Sequence, residues 1–104
     1  CGFGGRLDQN TVGIEAAHIR MRSKNGPNSL NNGMALCMLH HKLFDEGAYH
    51  LSSTFEVVIS KRFHGTNTDP LLRHAGQKIV LPRSEEDWPH PDFIQWQQRE
   101  LFKA

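Results

Sequence analysis

Histidine, asparagine and cysteine residues that could perform acid–base or metal chemistry are concentrated in the first half of the chain. A neutral imidazole can accept a proton near physiological pH or bind a metal ion, and Cys-x-x-His is an ordinary spacing of zinc ligands. His18 ends an apolar stretch and Asn32 precedes another. Cys37 lies three residues before His40, and His41 follows directly. This context indicates a site with catalytic or metal-binding chemistry.

The pattern around these residues predicts short elements that would position them. β-Branched and apolar residues at 12–19 favour a strand, and residues 23–29 have the composition of a loop. Apolar residues with helical spacing continue up to Gly47, which is a good helix stop. The sequence therefore predicts a short helix over about 38–46.

The rest of the chain predicts a hairpin and a second helix. Residues 48–63 resemble two strands joined by a polar turn, and residues 91–102 have the pattern of an amphipathic helix. We also expect a helical turn at 71–74 and a short strand at 78–81. These elements predict a small α+β domain.

Composition limits the classes of protein that fit. A chain of 104 residues suits one domain with one core, so residues 1–104 are predicted to form a single unit. The net charge of +1 excludes a strongly basic arm, and two cysteines do not make a disulfide scaffold. No apolar run is long enough for a membrane span, and no signal peptide is visible.

Three segments resemble the motif of HNH endonucleases: residues 17–19 (AHI), 32–37 (NGMALC) and 40–47 (HHKLFDEG). The fuller resemblance is to the C-terminal nuclease domains of modification-dependent restriction endonucleases, including those that read phosphorothioate DNA, and residues 91–103 also resemble the end of that group. The resemblance implies a ββα-metal (His-Me finger) core over residues 12–47, with the hairpin and the C-terminal helix added to it.

The resemblance also implies roles for three residues. His18 would be the general base that activates water, and Asn32 would orient its ring through a hydrogen bond. His41 would bind one catalytic divalent metal ion, either Mg²⁺ or Mn²⁺, with Ni²⁺ and Zn²⁺ as alternatives. Together with Asn32, these two histidines would form the catalytic set.

Ala17 departs from the family pattern, because many HNH proteins have an Asp or His metal ligand immediately before the base. Asp45 is one replacement, since it lies four residues after His41 and on the same helix face. It could equally be a solvated carboxylate at the helix end. Glu15 is on the same side of the strand as Ala17 and is a second replacement, although a purely structural role is favoured for it.

A second metal site is implied by the same resemblance. Cys37 and His40 look like a zinc knuckle with His in the last place, and Cys1 looks like the last residue of a preceding knuckle. These three residues would bind a structural Zn²⁺ ion, with a fourth ligand supplied otherwise or from upstream of Cys1. Cys37 by itself could also be a buried small apolar residue.

Basic residues close to His18 could contact DNA. Arg20, Arg22 and Lys24 alternate along the chain, and in an extended segment they would form a ridge that binds phosphates. Lys42 is next to His41 and could do the same. The competing interpretation of the three alternating residues is a solvated loop.

The leading hypothesis is a metal-dependent DNA endonuclease domain of a restriction-type protein. Its substrate would be double-stranded, modified DNA in the bacterial cytoplasm, and a separate domain would read the modification. Cutting both strands needs two active centres, which fits a homodimer formed through the full-length protein. One alternative is a zinc-knuckle module that binds nucleic acid without cutting. Another is an inactive HNH scaffold that lost a metal ligand at Ala17.

Overall fold

The computed structural model describes all residues, 1–104, as an α+β fold of short strands and helices, which confirms the predicted fold class. The six strands form three separate two-stranded antiparallel sheets: β1 (Gly5–Leu7) with β2 (Asn10–Val12), β3 (Ile14–His18) with β4 (Gly33–Cys37), and β5 (Tyr49–Leu51) with β6 (Val57–Ile59). The α-helices are α1 (Met38–Asp45), α2 (Asp69–Leu72) and α3 (Pro91–Glu100). None of them has the length and apolar character needed to cross a membrane.

The centre of the fold is the ββα unit formed by β3, β4 and α1. The two strands pair in a register that places His18 opposite Gly33 and Ile14 opposite Cys37. Helix α1 begins immediately after β4 and packs against both strands. On β3, Ala17 is buried in the core, whereas Glu15 is exposed and reaches α1. This unit, residues 14–45, corresponds to the ββα core that the resemblance to HNH endonucleases implied for residues 12–47.

Cys37 caps the start of helix α1, and the helix ends before Gly47. The Cys37 thiol accepts a hydrogen bond from the backbone N–H of His40 and thereby caps the first turn. Gly47 has a φ of +79°, and a side chain there would overlap the carbonyl oxygen of Leu101. Its own carbonyl accepts a hydrogen bond from the Lys103 N–H at 2.9 Å. Glycine is therefore required both to end the helix and to admit the C-terminal segment.

The β5–β6 hairpin and α3 contribute with α1 to the hydrophobic core. Seven buried residues form this core: Ile19, Phe44, Tyr49, Leu51, Val57, Leu71 and Ile94. The Gln97 side chain of α3 is buried and donates hydrogen bonds to the carbonyls of Phe44 and Tyr49, at 3.1 and 3.0 Å. The amide of Gln97 thereby joins α3 to α1 and β5.

Two regions differ from the sequence-based expectations. The predicted strand at 78–81 is wrong: only an isolated bridge between Glu56 and Lys78 forms there. Conversely, β1 and β2 form a hairpin that was not predicted, and every residue of β2 is exposed. A short hairpin without a buried face has no alternation of apolar and polar residues, so the sequence carries no signal for it.

Candidate active site

His41 lies between two carboxylates at the junction of β3 and α1. Its Nδ1 is 2.7 Å from Oε1 of Glu15, and its Nε2 is 3.3 Å from Oδ2 of Asp45. Glu15 reaches the helix because its odd-numbered position faces α1, and Asp45 lies one turn after His41. The His41 side chain is 25% exposed, so the cluster is open to solvent.

The donor atoms of His41 and Asp45 suit one divalent cation. Metal bonds of about 2.1 Å that meet at roughly 100° put two ligand atoms about 3.2 Å apart, close to the separation between Nε2 and Oδ2. When Glu15 accepts the Nδ1 proton of a neutral ring, Nε2 keeps its lone pair. A lone pair and a carboxylate oxygen at this distance need a proton or a metal ion between them.

Asp45 has the electrostatics of a partly desolvated ligand. Burial raises the pKa of the Asp45 carboxyl above its usual range, and the nearby His41 and Lys42 oppose that change. A divalent cation at this position would favour the ionised carboxylate. Ala17, by contrast, offers no donor atom and its methyl group is packed in the core.

His18 is the last residue of β3, three positions after Glu15. Its Nε2 is 2.7 Å from Oδ1 of Asn28, and the ring borders an open groove of about 620 Å³ that is also lined by Asn32 and Asp87. His18 makes no hydrogen bond with His41 or Asp45. The structure thus places the predicted base and the predicted metal ligand on adjacent elements, with His18 facing the groove.

Asn32 is buried and does not orient the His18 ring directly. Its Oδ1 accepts the N–H of Arg20 at 2.8 Å, and its Nδ2 donates to the carbonyls of Arg20 and Pro27 at 3.0 and 2.9 Å. The predicted hydrogen bond between Asn32 and His18 is therefore wrong. One carboxamide satisfies three backbone groups instead, because it offers both an acceptor and two donors. Asn32 fixes the loop after His18 rather than the ring itself.

Cys1, Cys37 and His40 form a second group, in which the potential ligand atoms all lie within 4.8 Å of one another. Cys37 Sγ is 3.1 Å from Nδ1 of His40, and Nε2 of the same ring is 2.8 Å from the Pro70 carbonyl. That carbonyl can only accept, so Nε2 carries the proton and Nδ1 is free to bind a metal ion. Burial lowers the pKa of His40, which favours the neutral ligand form.

The basic residues after β3 do not form the predicted extended ridge. Residues Arg22–Lys24 make a single 3₁₀ turn, which ends at Asn25 in the left-handed conformation. Arg20 donates from Nε to the Lys24 carbonyl at 2.7 Å, and its guanidinium lies 5.7 Å from the centre of the Trp96 ring. Arg20 thus packs against the protein, whereas the side chains of residues 22 and 24 are exposed.

Lys42 also differs from the simple expectation of a free cation. It is exposed and forms an ion pair of 3.0 Å with Glu46, one turn further along α1. The pair raises the pKa of Lys42 and lowers that of Glu46. Exposed pairs of this kind contribute little to stability and break readily, so Lys42 remains available to a phosphate.

The roles of two residues of the site were not predicted from the sequence, or only in part. Asn28 had no assigned role, because it lies in a loop ten residues from its partner His18. Glu15 was considered only as a weak replacement ligand, yet it makes the shorter of the two contacts to His41. Only the parity of Glu15 on β3 could have indicated that it faces α1.

The chain resembles known endonucleases in sequence and in fold. The sequence profile described as HNH endonuclease matches residues 1–52, which include the whole ββα unit. A solved structure of a modification-dependent TagI restriction endonuclease is similar over 97% of this chain, with a TM-score of 0.68 and 25% sequence identity. The chain spans 32% of the length of that enzyme. No curated protein matches the sequence. Since the matched profile covers half of the chain and contains the site, this protein belongs to the HNH endonuclease family.

Proposed function

We propose that this domain hydrolyses phosphodiester bonds of DNA with the help of one divalent metal ion held by His41 and Asp45. The observation that carries the proposal is the position of His41, which lies between Glu15 and Asp45 beside the strand that ends in His18. When bound, a Mg²⁺ or Mn²⁺ ion would polarise the scissile phosphate and stabilise the charge on the leaving oxygen.

The chain's own residues would divide the remaining work. The neutral ring of His18 takes the proton of the attacking water, a role for which imidazole is suited near physiological pH. Glu15 holds the His41 ring in the orientation that aims Nε2 at Asp45. Exposed Arg22 and Lys24 bind neighbouring phosphates without reading sequence.

Two alternatives fit the arrangement less well. A zinc-knuckle module that only binds nucleic acid needs Cys37 and His40, but it has no use for a second histidine held between two carboxylates. An inactive HNH scaffold would follow if Ala17 had emptied the catalytic metal site. Asp45 and Glu15 supply carboxylates at that site, which argues against the loss.

The biological setting is inferred from the restriction endonuclease with the similar fold. That enzyme is modification-dependent, and this chain matches about a third of its length. We therefore infer that the domain is the cleavage part of a restriction-type protein, with a separate part reading modified double-stranded DNA in the bacterial cytoplasm. A homodimer of the full-length protein would bring two active centres to the two strands.

The central test is a plasmid-cleavage assay with Mg²⁺, with Mn²⁺ and with a chelator. We expect cleavage only with a divalent ion, and a decrease of about 10²–10⁴-fold in His18→Ala, because a general base contributes a factor of that size. His64→Ala is the matched control, since His64 is exposed and its ring contacts only the Arg62 carbonyl. A folded His18→Ala protein that cuts as fast as His64→Ala would refute the assignment.

A second assay tests where the modification is read. The domain by itself is incubated with modified and unmodified DNA of one sequence, and the two cleavage rates are compared. We expect equal rates, because the exposed cations near His18 would contact phosphates, which carry no information about the bases. A strong preference of the isolated domain for modified DNA would contradict the proposed division of labour.

A further inference from the structure

The hydrogen bond between His18 and Asn28 gives the site a residue that no motif assigns. The two atoms, Nε2 of His18 and Oδ1 of Asn28, are 2.7 Å apart, a short distance for an N–H···O hydrogen bond. The amide oxygen can only accept, so the imidazole must donate from Nε2. We propose that Asn28 is a positioning residue that fixes the tautomer and the direction of the His18 ring. The inference rests on the proposed nuclease function.

The other ring nitrogen of His18, Nδ1, is then left to accept a proton. A neutral imidazole carries one N–H, so a proton held on Nε2 leaves the lone pair on Nδ1. In this arrangement Nδ1 of His18 is the atom that accepts the proton of water, and Nε2 is the anchor. An amide suits the anchor better than a carboxylate would, because it holds the N–H without adding a negative charge that favours the imidazolium form.

Asn28 can serve as an anchor because the loop that carries it is fixed. Its neighbour Pro27 is held through its carbonyl by Asn32, and Gly26 is buried so closely against Arg20 that a side chain would overlap the Arg20 carbonyl. On the other side, the loop continues directly into the 3₁₀ turn Leu30–Asn32. The role of Asn32 towards His18 is therefore indirect, by way of the loop and Asn28.

The test compares Asn28→Ala and Asn28→Asp with Asn31→Ala. Asn31 is the matched control, because it lies three residues after Asn28 in the adjoining 3₁₀ turn and its side chain accepts a hydrogen bond only from the Ser29 hydroxyl. We expect Asn28→Ala to cut about 10–100-fold more slowly than Asn31→Ala, which is the usual cost of losing an orienting partner. Asn28→Asp should restore much of the rate, since a carboxylate also accepts from Nε2.

The pH–rate profile separates positioning from a general loss of structure. In Asn28→Asp the acidic limb should move to higher pH, by roughly one unit, because a carboxylate beside the ring favours the imidazolium form. The unchanged profile of Asn31→Ala is the reference. Equal rates and equal profiles for Asn28→Ala and Asn31→Ala, with His18→Ala inactive, would overturn the inference and leave the nuclease function standing.

A spectroscopic measurement decides the point without any cleavage. Long-range proton–nitrogen NMR spectra of the imidazole rings report which nitrogen of His18 carries the proton. We expect the Nε2–H form in the wild-type domain and in Asn31→Ala, and a mixture of forms in Asn28→Ala. A wild-type ring that is protonated at Nδ1 would overturn the inference. If the wild type showed the Nε2–H form but no metal-dependent cleavage, the proposed function would fail and the positioning would stand.

Discussion

Two faces of α1 carry neighbouring histidines in different surroundings. His40 is 7% exposed and lies beside two thiols, whereas the side chain of His41 is 25% exposed and lies beside two carboxylates. Adjacent residues of a helix point about 100° apart, so one short helix can serve two sites. Sulfur and imidazole ligands suit a structural zinc ion, and a site with carboxylate oxygens suits Mg²⁺ or Mn²⁺.

The partners of the two rings differ in the same way. His40 is oriented by the neutral carbonyl of Pro70 through Nε2, which leaves Nδ1 towards Cys37. His41 is oriented by the charged carboxylate of Glu15 through Nδ1, which leaves Nε2 towards Asp45. The second partner of each ring, rather than its sequence position, therefore selects the nitrogen that is free to bind metal.

The largest expected effect is on cleavage. His41→Ala should cut DNA on the order of 10³-fold more slowly, because a catalytic metal ion contributes several kcal/mol to the transition state. Zinc content and melting temperature should stay close to those of the wild type, since His41 lies outside the thiol group. Metal analysis, a melting curve and a plasmid assay on one preparation measure all three. Loss of zinc in this variant would show that His40 and His41 belong to a single metal site.

The second prediction concerns zinc content and thermal stability instead of cleavage. His40→Ala should lose zinc and unfold at a temperature lower by about 8–16 °C, which corresponds to roughly 2 kcal/mol at about 4–8 °C per kcal/mol. The reason is that a structural zinc ion contributes directly to the folding free energy. His41→Ala serves as the matched control on the same helix. Retention of zinc and of the melting temperature by His40→Ala would show that the buried face holds no metal.

The third prediction concerns the carboxylate that orients His41. Glu15→Gln should raise the Mn²⁺ concentration for half-maximal cleavage by about 10–100-fold, because orienting partners tune metal affinity by such factors. The rate at saturating Mn²⁺ should be close to that of the wild type. Glu46→Gln is the control, since Glu46 lies beyond the site and pairs with Lys42. An identical Mn²⁺ dependence in both variants would remove Glu15 from the site.

The fourth prediction concerns DNA binding by the exposed basic residues that follow β3. Replacing both Arg22 and Lys24 by Ala should weaken binding to unrelated sequences and reduce the slope of log affinity against log salt by roughly one per lost phosphate contact. Arg20→Ala should mainly lower stability, because Arg20 packs over Trp96. Binding titrations at several salt concentrations measure the slope. An unchanged slope in the double variant would show that Arg22 and Lys24 do not contact DNA phosphates.

The smallest effect is the pH dependence of stability in the metal-free domain. Burial lowers the pKa of His40 below its ordinary value of 6.5, so the unfolded chain binds a proton that the folded chain resists. The free energy of unfolding should therefore fall as the pH decreases through 6.5 towards the lower pKa of the folded state. Denaturation of chelator-treated wild type and His40→Ala from pH 8 to pH 5 isolates this contribution. A difference between them that stays constant with pH would contradict it.

The sequence by itself determined the elements whose pattern is local. The spacing of apolar residues and Gly47 predicted α1 and its end, and the amphipathic pattern of 91–102 predicted α3. The hairpin at 48–63 was also predicted, as β5 and β6 confirm. Helical periodicity also placed His41 and Asp45 on one face, because residues four apart are neighbours on any helix.

Only the tertiary structure decided which distant residues meet at the site. Asn28 reaches His18, Glu15 reaches His41, and Cys1 approaches Cys37 across loops of very different length. The contact between Asn28 and His18 depends on how the loop after His18 closes, and that loop is held by hydrogen bonds of backbone groups to one another and to the Asn32 side chain. Backbone groups are the same in every residue type, so the pattern of side chains carries no record of which ones will pair.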